Sequence, residues 1–257
     1  MKRIFALLFI LLFITACGSA EPTVTPSTDT AVPTDTPSPT TTPMPQESRV
    51  TITAADGLEM AGRLQIGQGE GPRPTVILLH MLQSNFYAWD KFAGPLNEAG
   101  YTSFSLDMRG HGKTRGKMNW ALVKDDILLV RQYLADQPYI DGERIGIVGG
   151  SIGANMALVV GAAEPQIKTV VLLSPGLNYV GVETMPPMKR YGQRPILIVA
   201  SENDPESATS SEQLIELAEH ADSTLQMYEK AGHGTNMFSP QPELAHLIIE
   251  WLNNHLE

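Results

Sequence analysis

With a single cysteine in 257 residues, the chain cannot build an internal disulfide framework or a cluster of cysteine metal ligands. Positive charge is scarce as well: 18 lysines and arginines face 28 acidic residues, for a net charge of −10. No basic run offsets this balance, which excludes the phosphate neutralisation that nucleic-acid binding needs. The apolar run near the start, Ile4 to Ile14, holds only eleven residues. A stable helix across a hydrocarbon core of ~30 Å needs more. Internal repeats are absent too. What is left is a composition ordinary for a globular protein, 42% hydrophobic with 22 glycines.

Lys2 and Arg3 precede the apolar run and small residues follow it, the arrangement of an export signal. The one cysteine then sits in Ile14-Thr15-Ala16-Cys17, which resembles the lipobox of bacterial lipoproteins. The resemblance implies a signal peptide over residues 1–16, cleavage before Cys17 and lipid attached at that cysteine. Several acyl chains would then hold the exported protein on the outer face of the bacterial cell membrane. A plain secretory signal with an incidental cysteine is the competing reading. Gly18 to Ser48 follows, 31 residues of which nine are Thr, seven Pro and four Ser. Such a segment buries too little apolar surface to offset chain entropy, so it is expected to be a disordered linker. At ~3.1 Å per residue its prolines let it reach on the order of 100 Å. Residues 17–48 therefore read as lipidated cysteine and tether, and 49–257 as one folded domain.

From Arg49 the pattern changes. Arg49 to Thr53 alternates, Asp56-Gly57 signals a turn, and Glu59 to Ile66 reads as a second strand, which together predict an antiparallel hairpin. Thr75 to Leu79 is a continuous aliphatic run, as in a strand buried on both faces. Helices and strands then alternate. Helices are predicted over Trp89–Ala99, Trp120–Ala135, Ile152–Ala163, Ser207–Ala221 and Glu243–Leu256. Strands are predicted over Tyr101–Leu106, Arg144–Val148, Lys168–Leu173, Pro195–Ala200 and Leu225–Tyr228. A hairpin followed by alternating elements means an α/β fold with a doubly wound, mostly parallel sheet.

The chemical signal is Gly149-Gly150-Ser151-Ile152-Gly153, between a predicted strand and a predicted helix. This is the G-x-S-x-G nucleophile elbow in the strand–turn–helix context it requires. A turn that sharp brings strand and helix so close that side chains at Gly149 and Gly153 would clash. It also lifts the serine hydroxyl off the end of the sheet, in front of the free N–H groups of a helix N-terminus. An incidental glycine turn is the bland alternative.

With these elements the sequence resembles the α/β-hydrolase superfamily over essentially all of 49–257, and is most similar to its dienelactone-hydrolase-like and esterase-like members. The resemblance implies a triad in the order serine, acid, histidine at successive strand ends. Ser151 is then the nucleophile and Gly149 and Gly153 frame its elbow. His233, in Ala231-Gly232-His233-Gly234-Thr235 after the last short strand, takes the place of the general base. Asp204, in Ala200-Ser201-Glu202-Asn203-Asp204-Pro205, takes the place of the acid, with Glu202 as competitor. Asp204 could instead simply cap the helix that follows. Asp107, after an earlier strand, is a weaker candidate. The oxyanion hole falls to the backbone N–H groups of Ile152 and of Met81, which stands where relatives commonly carry glycine. Of the other histidines, His220, His246 and His255 fall on predicted helices, His111 lies in a turn, and His80 is expected to organise the Met81 loop.

Only Ser174 to Arg194 separates two consecutive strands where many relatives insert a lid, so a minimal flap on Met185-Pro186-Pro187-Met188 and Tyr191 is expected. Phe86, Tyr87 and Trp89 are candidate acyl-pocket residues, with ordinary core packing as the alternative. The expectation is a serine hydrolase acting on small-molecule carboxylic esters, without metal or organic cofactor. A peptidase or thioesterase on the same triad, and a catalytically silent binding module of this fold, remain as alternatives.

Overall fold

The computed structural model describes residues 47–256; the expected signal peptide, Cys17 and most of the expected linker lie outside the described residues. The chain opens with β1 (Glu47–Thr53) and β2 (Glu59–Gln65), antiparallel in the register Thr53↔Glu59 to Glu47↔Gln65. The first described strand thus includes Glu47 and Ser48, two residues before the predicted strand start at Arg49, because the ladder with β2 continues to Gln65. Then follow β3 (Arg73–Leu79), α1 (Asp90–Glu98), β4 (Thr102–Leu106), α2 (Trp120–Ala135), β5 (Ile140–Gly150), α3 (Ile152–Ala163) and β6 (Ile167–Leu173). A small hairpin, β7 (Asn178–Tyr179) and β8 (Val182–Glu183), leads into α4 (Met185–Tyr191). The chain closes with β9 (Ile196–Ser201), α5 (Pro205–Ile215), β10 (Thr224–Tyr228) and α6 (Leu244–His255).

The main sheet has the order β1-β2-β4-β3-β5-β6-β9-β10. Only the β1/β2 and β2/β4 pairings are antiparallel. Side chains alternate across it: Ile77 and Leu79 enter one core with Ile147, Ile127 and Leu158, and Val76 and Leu78 the other with Phe92, Leu96 and Ile248. Helices α1 and α6 cover one face, and α2, α3, α4 and α5 contribute to the other. From β3 the chain steps to β4 on one side and then to β5 on the other. The strand order thus reverses beside β3, the point of an open α/β sheet where a crevice forms at the strands' carboxyl ends. Met81 follows β3 and Ser151 follows β5, so both stand at that crevice.

Some predicted boundaries move. α5 ends at Ile215, where Leu217 and Ala218 turn back on Leu214 and Ile215, so His220 lies in a turn rather than on a helix. No glycine or proline marks that stop. Met185 to Tyr191 forms α4, and Met188 and Tyr191 are buried in the core, so these residues build no exposed flap; the β7–β8 hairpin precedes them.

Candidate active site

The β5–α3 turn is sterically tight. A Cβ on Gly149 would collide with the Gly153 carbonyl, and one on Gly153 with the carbonyls of Leu79 and His80. Between them Ser151 holds φ 56° and ψ −121°, a region that costs a non-glycine residue of order 1–3 kcal/mol. The surroundings enforce it: the Ser151 N–H donates to the Leu173 carbonyl at 2.8 Å, and its carbonyl accepts the N–H groups of Ala154 and Asn155. The half-buried hydroxyl is left without a hydrogen bond among the described residues. The N–H of Ile152, first residue of α3, likewise meets no acceptor among the described residues, nor does that of Met81.

Met81 is held by its neighbour. His80, fully buried, donates from Nδ1 to the Met81 carbonyl at 2.7 Å and accepts the Met108 N–H on Nε2 at 3.0 Å. Burial pushes its pKa down to about 4, so the ring stays neutral and keeps both bonds. The Met81 side chain turns toward the opposite loop: a Cβ on Gly234 would stand 2.5 Å from its Sδ and 3.6 Å from the Ser151 nitrogen.

That opposite loop carries His233. Three of its N–H groups are accepted by side chains at the ends of β6 and β9. Ala231 donates to Ser201 Oγ at 2.8 Å, Gly232 to Asn203 Oδ1 at 3.1 Å, and Gly234 to Ser174 Oγ at 2.9 Å. His233 Nδ1 then meets Asp204 Oδ2 at 2.6 Å. Asp204 occupies the N-cap position of α5 yet makes no side-chain cap bond, so its carboxylate serves the imidazole and not the helix. Glu202 is exposed and makes no side-chain bond with His233 among the described residues. Asp107 is committed elsewhere, accepting the N–H groups of Phe86 and Lys113 at 2.7 and 2.6 Å. The contact not closed here is Ser151 Oγ to His233; such bonds are often long before substrate tightens them.

The pocket candidates divide. Trp89 is fully buried, packed edge-on against Phe238 and beside Phe92, and Phe86 is buried as well. Both are core residues and offer a ligand no surface. Their aromatic spacing is the same in either role, which is why sequence could not separate the two. Tyr87 is exposed but its phenol takes the Arg49 guanidinium at 2.7 Å.

The residue that sequence reasoning missed is Tyr179, on the β7–β8 hairpin. Its ring lies edge-on to His233, centroids 6.2 Å apart. Burial, and then the negative charge of Asp204 and Glu206, holds the phenol protonated well above its usual range. The hairpin is tied to the helix behind Ser151: Asn155 donates to the Val182 carbonyl at 2.8 Å and accepts the Gly176 N–H at 3.0 Å. Thr184 Oγ1 donates to the Gly176 carbonyl at 2.8 Å. The Asn178 and Gly181 turn residues were its only sequence signal.

A family model described as serine aminopeptidase, S33, matches residues 70–194. That stretch includes Met81 and Ser151 and ends before Asp204 and His233. Esterase FrsA of Klebsiella pneumoniae subsp. pneumoniae is 32% identical over 141 residues, covering 52% of this chain and 33% of that protein. FrsA of Yersinia pestis is 31% identical over 139 residues, covering 51% and 32%. The chain thus spans about a third of the length of these curated relatives. Among solved structures, Pyrococcus furiosus esterase Pf2001 superposes with a TM-score of 0.72 at 19% identity, over 82% of this chain and 91% of that one. Dienelactone hydrolase from Anabaena variabilis gives 0.68 at 19%, over 82% and 100%. At such identity the likeness is one of fold.

Proposed function

We propose that this chain, whose fold is that of the α/β-hydrolases, is a serine hydrolase that cleaves carboxylic esters with Ser151, His233 and Asp204. The observation that carries the reading is the Asp204–His233 bond of 2.6 Å, made by a carboxylate that forgoes its helix cap. In the proposed reaction His233 Nε2 takes the Ser151 proton as the hydroxyl oxygen adds to the ester carbonyl. Asp204 holds the Nδ1–H tautomer and stabilises the imidazolium that forms. The oxyanion receives the N–H groups of Ile152 and Met81, which have no competing acceptor among the described residues; one such donor is worth about 3 kcal/mol of barrier. As the intermediate collapses, the C–O bond to the alcohol breaks and the imidazolium returns its proton to the leaving oxygen. Water then attacks the acyl-serine through the same relay, releasing the acid and restoring Ser151.

A peptidase reading has one specific support, the aminopeptidase description of the matching family model. Hydrolysis of p-nitrophenyl acetate and butyrate, beside alanine p-nitroanilide, separates the two. We expect ester turnover that Ser151→Ala abolishes and little anilide turnover. Anilide turnover exceeding that of the esters would overturn the ester reading. The proposal extends to export and a lipid tether at Cys17, supported by the Ile14-Thr15-Ala16-Cys17 segment alone. Cys17→Ala is expected to move the protein out of the membrane fraction; retention there would contradict it.

A further inference from the structure

Four non-glycine residues among those described have a left-handed backbone: Gln83, Ser151, Ser174 and Val180, with φ of 55°, 56°, 53° and 45°. All lie in segments that follow the carboxyl ends of β3, β5 and β6. Backbone strain of this kind gathers at functional sites. Three of the four have an account already. Ser151 is the proposed nucleophile. Ser174 accepts the N–H beside His233. Gln83 lies within the Met81–Ser84 turn, closed by the Ser84 N–H on the Met81 carbonyl at 3.2 Å.

Val180 has none. It and Gly181, φ 87°, form the two-residue connection of the β7–β8 hairpin. Both positions of such a turn favour positive φ, which asparagine or glycine accepts and a β-branched residue resists. Core packing does not explain the choice, because Val180 is 58% exposed, the most exposed of the large hydrophobic residues described. Nor is the tip loose: the bonds of Asn155 and Thr184 anchor the hairpin, and the Gly181 N–H donates to Asn178 Oδ1 at 2.8 Å. A rigid support thus presents a strained, exposed isopropyl group one residue from Tyr179, whose ring stands beside His233.

We propose that Val180 is a specificity-determining residue that meets an aliphatic alcohol moiety of the ester substrate. This rests on the ester reading above. The assignment to the alcohol half follows from the chemistry: His233 must reach the leaving oxygen, so the wall beside the imidazole faces what departs with that oxygen. Substrates of the class implied are esters of aliphatic alcohols, not acids esterified to small polar ones.

The test uses the full chain and the ratio of kcat/KM for hexyl acetate over ethyl acetate, followed by pH-stat. Val180→Asn suits the turn, so Tm is expected to rise while the ratio falls about tenfold, the loss typical of removing an apolar substrate contact. Val180→Ile should keep the ratio. Leu122→Asn, which removes an exposed apolar side chain on α2, should leave it alone. A ratio within twofold of wild type in Val180→Asn overturns the proposal. So does a change confined to the acyl series, p-nitrophenyl hexanoate over acetate. Wild-type protein that turns over no ester would instead overturn the ester reading itself.

Discussion

The β4–α2 loop and the β5–α3 turn leave the same edge of the sheet and spend their residues in opposite ways. In the first, glycine takes every left-handed position, at Gly110, Gly112 and Gly116. Each buried charge there is matched: Asp107 accepts two backbone N–H groups, and Arg109 forms a two-pronged pair with Asp126, both contacts 2.9 Å, and a second two-pronged pair with Asp56 at 2.6 and 3.2 Å. In the second, a serine takes the left-handed position and its hydroxyl has no partner among the described residues, nor has the next N–H. The first loop closes on itself and gains rigidity. The second leaves a hydroxyl and an N–H unpaired among the described residues, as the proposed reaction requires. His80 ties the closed loop to a third segment, the one after β3, with one ring nitrogen on Met108 and the other on Met81, whose N–H stands with that of Ile152 as a candidate oxyanion donor.

Substitutions on the two sides should therefore fail differently. In the proposed triad that the open turn serves, Asp204→Asn removes the anion that stabilises the imidazolium; kcat for p-nitrophenyl esters should fall about 10³–10⁴-fold with Tm nearly unchanged. A loss under tenfold would mean that another group orients His233. On the closed side, Arg109→Met strands the buried carboxylate of Asp126 and should lower stability by about 3–5 kcal/mol in denaturant melts. Activity per folded molecule should persist; a parallel collapse of kcat would erase the distinction between the loops.

The smallest effect lies at His80, between the closed loop and the Met81 segment. The folded-state pKa of His80, about 4, lies below its usual value of 6.5. Its contribution is therefore complete above pH 6.5 and is lost as pH falls from there toward 4, about 3 kcal/mol in all. Urea melts between pH 7 and pH 4.5 should show this slope in wild type and a flatter one in His80→Gln. Equal slopes would mean that the ring titrates normally.

What was legible in the sequence is what local sterics dictate. Gly149 and Gly153 can be read as close-approach positions because no other residue fits, and the β1–β2 hairpin follows from alternation around Asp56-Gly57. What stayed hidden depends on distant partners. The bond from Gly234 to Ser174 spans sixty residues of sequence, and the edge-on contact of Tyr179 with His233 joins two separate loops. Phe86 and Trp89 have the composition of a pocket wall and the burial of a core, and only the packing of Phe92 and Phe238 around Trp89 decides between them. For Asp204 the position was readable and the direction of its carboxylate was not. An aspartate before a proline at a helix start caps as a rule, and here the carboxylate turns away to the imidazole.

The central claim is that Ser151 is an activated nucleophile facing an open oxyanion site. Labelling the full chain with a fluorophosphonate, and mapping the modified peptide, tests it most directly. The account predicts a single label on Ser151, absent in Ser151→Ala. A folded, unlabelled protein, or a label elsewhere, would contradict it.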